Sequence, residues 1–178
     1  MALLDYDNAR QVYQDNEDML ETINRMEKFD EFHLLRNGNM VISDQLKMKF
    51  SHVPSAVLLW YRVCNGGLLF DSTLLSMDNY DNELDLDFAS FDENNSEENY
   101  KTLGLPEGYY IIGLRSYGDP ICVSKDNDKV YLWNVEEQDF DTIWDSFNDF
   151  LGDETDASIE MISDGSLEPI PYKLDNTD

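Results

Sequence analysis

Positive charge is scarce in this chain: 12 Lys and Arg stand against 38 Asp and Glu in 178 residues, a formal net charge of -26. A surface with that balance repels phosphate backbones and anionic headgroups, which excludes nucleic acid and anionic membranes as direct partners. Histidine and cysteine are nearly missing as well, with two of each: His33, His52, Cys64 and Cys122. So small a set supplies no zinc spacing, and the chain also has no nucleophile elbow and no glycine-rich phosphate loop. Each cysteine sits in an apolar segment, far from the other, so the expectation is two buried, reduced thiols rather than a disulfide or a metal site. Long apolar runs are absent too. Met1-Ala2-Leu3-Leu4-Asp5-Tyr6-Asp7 has no basic region, and its apolar run is far too short for a signal peptide or a membrane span, so a cytoplasmic protein is expected.

What remains is ample material for a core. A content of 42% hydrophobic and 12% aromatic residues excludes a disordered solvating tail, and the length suits one domain. The charge is unevenly spread: residues 1–70 hold seven basic and ten acidic side chains, leaving five and 28 for residues 71–178. Such a concentration of like charge opposes folding unless solubility, high salt or a cationic ligand selects for it.

Apolar residues at Ala9, Val12, Met19, Ile23 and Met26 follow a helical period and predict an amphipathic helix over about 7–28. Phe32-His33-Leu34-Leu35, Asn37-Gly38 and Met40-Val41-Ile42 make a hairpin pattern, because Asn-Gly supplies the positive φ angles of a tight turn. Pro54-Ser55 opens a second helix through Val57, Leu58, Trp60, Tyr61 and Cys64, which Asn65-Gly66-Gly67 ends. Leu68 to Phe70 leaves as a strand, and Leu74 to Met77 and Leu84 to Phe88 are further strand candidates. Residues 92–102, almost without apolar side chains, form a solvated helix or a loop.

The next stretch is β-rich. Tyr109 to Ile112, Ile121 to Val123 and Val130 to Trp133 are short strands joined by Gly118-Asp119-Pro120 and Lys125 to Asp128, an antiparallel meander. Phe140, Ile143, Trp144, Phe147, Phe150 and Leu151 recur every three or four residues and predict a helix that stops at Gly152. Ile159 to Ile162 is a short apolar patch before a proline-containing tail from Ser163, expected to be loosely ordered at its end. Strands grouped between helices argue for an α+β fold, a mainly antiparallel sheet of about five to seven strands with helices packed on one face.

The order of these landmarks resembles the SUKH superfamily, which includes the yeast Smi/Knr-type cell-wall regulators and many bacterial immunity proteins. The residues that carry the resemblance are Trp60 and Asn65-Gly66-Gly67 at a helix end, Gly113, Gly118-Asp119, Val130 to Trp133, and then Trp144 and Phe147. It implies one SUKH-like domain over 1–178 with a recognisable core of about 54–151; the helix and hairpin read over 5–43 precede the part that carries the resemblance, and a C-terminal extension over 152–178 follows it. It further implies a binding module without catalytic machinery or cofactor, whose bacterial relatives block a toxin domain, often a nuclease. A basic toxin suits an acidic antidote, since complementary charge speeds encounter and helps specify the pair.

Each candidate residue also has a plainer reading. Asp78 to Asp85 offers oxygen ligands at short spacing but lacks the glycine and the final glutamate of a calcium loop, so a solvated acidic loop is favoured. Asp119 between two strands reads as a turn residue whose carboxylate accepts backbone hydrogen bonds. Trp60, Trp133 and Trp144 have core spacing before they have hot-spot chemistry. The acidic positions Asp81, Glu83, Asp85, Asp87, Asp92, Glu93, Glu97 and Glu98 are the partner-surface candidates, against a reading as simple solubility. A scaffold like the cell-wall regulators, a DNA mimic and adaptation to high salt are the competing accounts of the acidity.

Overall fold

The computed structural model describes residues 6–77 and 90–165. The first helix, α1 (Tyr6–Met26), buries Met19, Ile23 and Met26, three of the residues whose period predicts it. Strand β1 (Phe32–Leu34) follows, and here the structure departs from the sequence reading. No hairpin forms at Asn37-Gly38. Met40–Lys49 is instead a helix, α2, because the side chain of Asn39 accepts the N–H groups of Val41 (2.9 Å) and Ile42 (3.1 Å) and caps it. Gly38 serves close packing rather than a turn: a Cβ there would stand 2.5 Å from the Cys64 nitrogen and 2.6 Å from the Val63 carbonyl carbon.

Helix α3 (Ser55–Val63) starts after Pro54 as expected and buries Val57, Trp60 and Tyr61. Its C-cap Cys64 is extended, and the left-handed residue that turns the chain is Gly66, at φ +99°. The short strands β2 (Gly67–Leu69) and β3 (Ser72–Leu74) come next. Leu84 to Phe88 lies outside the described residues. Two short helices, α4 (Phe91–Asn94) and α5 (Glu97–Leu103), occupy the stretch for which helix and loop were both open. Then β4 (Tyr109–Arg115), β5 (Pro120–Ser124) and β6 (Val130–Asn134) form the expected meander.

The segment from Phe140 is the second departure. Asp139–Trp144 is a strand, β7, and the last helix, α6 (Phe147–Asp164), starts later and runs through Gly152 to a left-handed cap at Gly165. The register explains why the strand looks helical in sequence: Phe140 pairs with Trp133 and Ile143 with Tyr131, with an irregularity in between. A bulge inserts one residue, so side chains three apart fall on one face of the sheet. Ser146 accepts the Asp149 N–H at 3.1 Å and caps α6, which marks the true helix start.

The seven strands of the described residues join one antiparallel sheet in the order β1-β2-β3-β4-β5-β6-β7, which confirms the α+β class. Tyr110, Val123, Val130 and Trp144 stand in one cross-strand row. That row faces the main helical layer, where Trp144 meets Phe150 (ring centroids 5.2 Å apart), Trp60 meets Phe147 (6.0 Å) and Tyr110 stacks on Phe50 (4.0 Å). The neighbouring row, Ile111, Cys122, Tyr131 and Ile143, faces the opposite way. Part of this second face lies under α5, where Trp133 Nε1 donates to the Leu103 carbonyl at 2.9 Å. Asn95, between α4 and α5, ties both helices to β4 by accepting the Ile111 N–H (2.7 Å) and donating to the Ile111 carbonyl (2.8 Å).

Candidate partner-binding surface

Four of the acidic candidates are described, and α4 and α5 bring them together. Asp92 and Glu93 occupy the first turn of α4 and Glu97 and Glu98 the first turn of α5, all four exposed. Carboxylates at these positions oppose the positive end of each helix, and Ser96 caps α5 by accepting the Asn99 N–H at 3.2 Å. Asp92 pairs with Lys49 at the end of α2, so Glu93, Glu97 and Glu98 supply most of the outward charge here. Asp81, Glu83, Asp85 and Asp87 lie outside the described residues. The flanks of that segment are pinned together beside α4, since Ser76 pairs with Ser90 and its carbonyl accepts the Phe91 N–H at 2.8 Å.

A second acidic region was not singled out in the sequence. Residues 134–145 hold five Asp and Glu and no Lys or Arg, a density that could have marked it. Where β7 leaves the β6–β7 turn, Asp119, Glu136 and Asp141 line a groove of about 510 Å³ with Leu103, Tyr117 and Asn134. Asp119 plays the structural part expected of it, accepting the Val135 N–H at 3.1 Å and so tying the β4–β5 turn to the β6–β7 turn. Gly118 beside it has φ +102°. Tyr117, at 65% exposure, forms the apolar rim.

The family-motif residues are structural. Trp60, Trp133 and Trp144 are buried with Phe147, in the core rather than on a surface. Asn65 is fully buried, and its side-chain oxygen accepts the Met77 N–H at 2.9 Å. Gly67 pairs with Leu34 and Leu74, and Gly113 sits where a Cβ would meet the Thr73 carbonyl oxygen at 2.7 Å.

For chemistry, the structure offers little that is activated. Cys64 and Cys122 are buried free thiols, and burial pushes the Cys64 thiol up to about 12 and raises that of Cys122 as well. A thiolate is therefore disfavoured at both positions. His52 Nε2 lies 2.8 Å from Asp128 Oδ1, with both side chains exposed. Among the described residues, no group of three His, Cys, Asp or Glu side chains could hold a metal ion, and no helix is long and apolar enough to cross a membrane.

Comparison with known families decides the relationship: the SMI1 / KNR4 family (SUKH-1) matches residues 42–153. The chain belongs to that family. No curated protein matches it. The SUKH-1 region runs from Ile42 in α2 to Asp153 in α6, and so takes in β2 to β7 and both acidic regions described above. It begins a dozen residues earlier than the landmarks alone suggest, within the helix that replaces the expected hairpin.

Proposed function

We propose that this SUKH-1 protein is a non-enzymatic immunity protein that binds and neutralises a basic toxin domain through its acidic surface. The observation that carries the reading is the placement of charge on the family scaffold. Glu93, Glu97 and Glu98 project from α4 and α5, and Asp119, Glu136 and Asp141 surround a groove at the start of β7. These groups are exposed or lie at a groove, so they exert a field in solvent instead of being consumed in buried pairs. A net charge of -26 accelerates encounter with a cationic protein and disfavours wrong partners.

The buried thiols direct attention away from nucleophilic catalysis, and the exposed carboxylates direct it toward surface recognition. The test is co-expression with the basic toxin domain encoded by the adjacent gene, followed by purification at low and high salt. A complex that survives at about 0.1 M salt and weakens toward 1 M, as the Debye length falls from about 10 to 3 Å, supports the proposal. Absence of a complex with any adjacent toxin, or failure to protect cells that express one, contradicts it. A regulatory scaffold of the cell-wall type is the alternative, and a partner that is bound without loss of its activity would favour it.

A further inference from the structure

The sheet ends at β7, and its outer edge has no neighbouring strand among the described residues. An open edge presents unpaired backbone N–H and C=O groups, which makes it a template for another extended chain. Natural proteins blunt such edges with charge and bulges, and β7 has both: Asp139 and Asp141 along its length with Asp145 just past its end, and the irregularity opposite Leu132 and Trp133. The side chain of Asp139 also accepts the Phe140 N–H at 2.8 Å. These devices repel a second copy of this acidic chain. Toward a basic strand the same carboxylates attract.

Two further features favour a strand over a diffuse cationic surface. Ile143 is 54% exposed on the outward face, paired with Tyr131 and flanked by the ring cluster of Tyr109, Tyr131 and Phe140, with centroids 4.7 to 5.1 Å apart. It offers an apolar seat for one side chain of an incoming strand. Beyond the start of β7, the groove of Asp119, Glu136, Asp141 and Tyr117 has the charge and the exposed ring to take a lysine or arginine side chain. At the other end Lys129 pairs with Asp145 at 2.8 Å, so the uncompensated charge lies at the groove end. Strand addition gains affinity from main-chain hydrogen bonds and specificity from seats for alternate side chains.

We infer that the open edge of β7 is a docking site for an extended basic segment of a protein partner, which adds a strand to the sheet, packs an apolar residue on Ile143 and places a cationic side chain in the Asp119–Glu136–Asp141 groove. The inference deepens the reading of the protein as an acidic binder of a basic partner and rests on it. The probe is a synthetic peptide of about eight alternating lysine and valine residues, close to the length of a strand. Its control has proline in place of valine, keeping the charge while removing alternate N–H donors.

Hydrogen exchange followed residue by residue is the readout. The lysine–valine peptide slows exchange in residues 139–144, the lysine–proline peptide does not, and Glu136→Gln with Asp141→Asn weakens the first peptide by about tenfold. Ile143→Glu, at a half-exposed position that tolerates substitution, abolishes the protection while the melting temperature stays close to that of the parent. Equal binding of both peptides without protection of β7 overturns the inference and leaves charge attraction intact. Protection of β7 together with no binding of any basic toxin domain would retain the edge site and remove the immunity reading.

Discussion

Arg115 and Glu154 form an ion pair across the interior, Nη1 to Oε2 2.5 Å, with side chains only 13% and 6% exposed. Ser72 completes the cluster by donating to Glu154 Oε2 (2.6 Å) and accepting from Arg115 Nη1 (2.9 Å), so β3, β4 and α6 are joined by one polar network. Asp71 stands 3.7 Å from the same Arg115 nitrogen. Removing one member of a buried pair leaves the other charge without compensation, whereas replacing both by apolar groups of similar volume is nearly neutral. Arg115→Met is expected to destabilise the protein by about 3–5 kcal/mol. The double variant Arg115→Met, Glu154→Met should recover most of that loss in urea unfolding, and strict additivity of the single effects would contradict the coupling.

The corner before α2 gives a second, local prediction. Asn39→Ala removes the cap that holds the Val41 and Ile42 N–H groups and should lower stability by about 1 kcal/mol. Gly38→Ala forces a Cβ against the backbone of the α3 end at three points, including the Tyr61 carbonyl oxygen at 2.7 Å, and should be worse, about 3 kcal/mol. If Gly38→Ala proves the milder change, the close approach of these two segments is wrong.

Burial of the thiols predicts an alkaline limit. Cys64 is raised from 9.0 to about 12, chiefly by burial, so the folded protein keeps a proton that the unfolded chain releases. The contribution is fully present below pH 9 and is lost as pH rises toward 12, at about 1.4 kcal/mol per pH unit for each such group. Tyr100, raised from 10.0 to about 12 by burial, adds in the same direction above pH 10. Unfolding curves taken from pH 8 upward should show the decline, and Cys64→Ala should make it shallower. Both thiols should resist a disulfide reagent until the chain unfolds, and fast labelling at neutral pH in the native state would contradict their burial.

How far the sequence foretold this depends on the period each segment carried. The helical pattern of Met19, Ile23 and Met26 and the short apolar runs of β4, β5 and β6, bounded by turn residues, each had a single physical solution, and those elements stand where expected. Asn37-Gly38-Asn39 had two. Its residues suit a tight turn, but Asn39 also caps a helix, and the tertiary demand for glycine against the α3 end selects the second. Phe140 and Ile143 were misread because a bulge turns a three-residue spacing into one face of a strand, an event that local periodicity does not encode. For the proposed partner surface, the acidic positions 92 to 98 were legible as a charge run, with helix and loop both open. The groove at β7 was not, since it combines Asp119 with Glu136 and Asp141, which come together only when two turns meet.

The charge itself predicts a trade between stability and binding. Glu93→Gln, Glu97→Gln and Glu98→Gln together relieve self-repulsion at exposed positions, so the melting temperature should hold or rise slightly at low salt. Association with a basic partner should slow by about tenfold under the same conditions, with the difference shrinking as salt is added. A marked fall in melting temperature would show instead that these carboxylates stabilise the fold, through the first turns of α4 and α5, more than they repel one another.

The most direct measurement is the association rate of this protein with the basic toxin domain proposed as its partner, recorded across a salt series. Steered encounter predicts a rate near 10⁸ M⁻¹s⁻¹ at low salt that falls steeply as ions screen the acidic surface, together with loss of toxin activity in the complex. A rate indifferent to salt, or a complex in which the toxin remains fully active, would contradict recognition by charge and with it the proposed function.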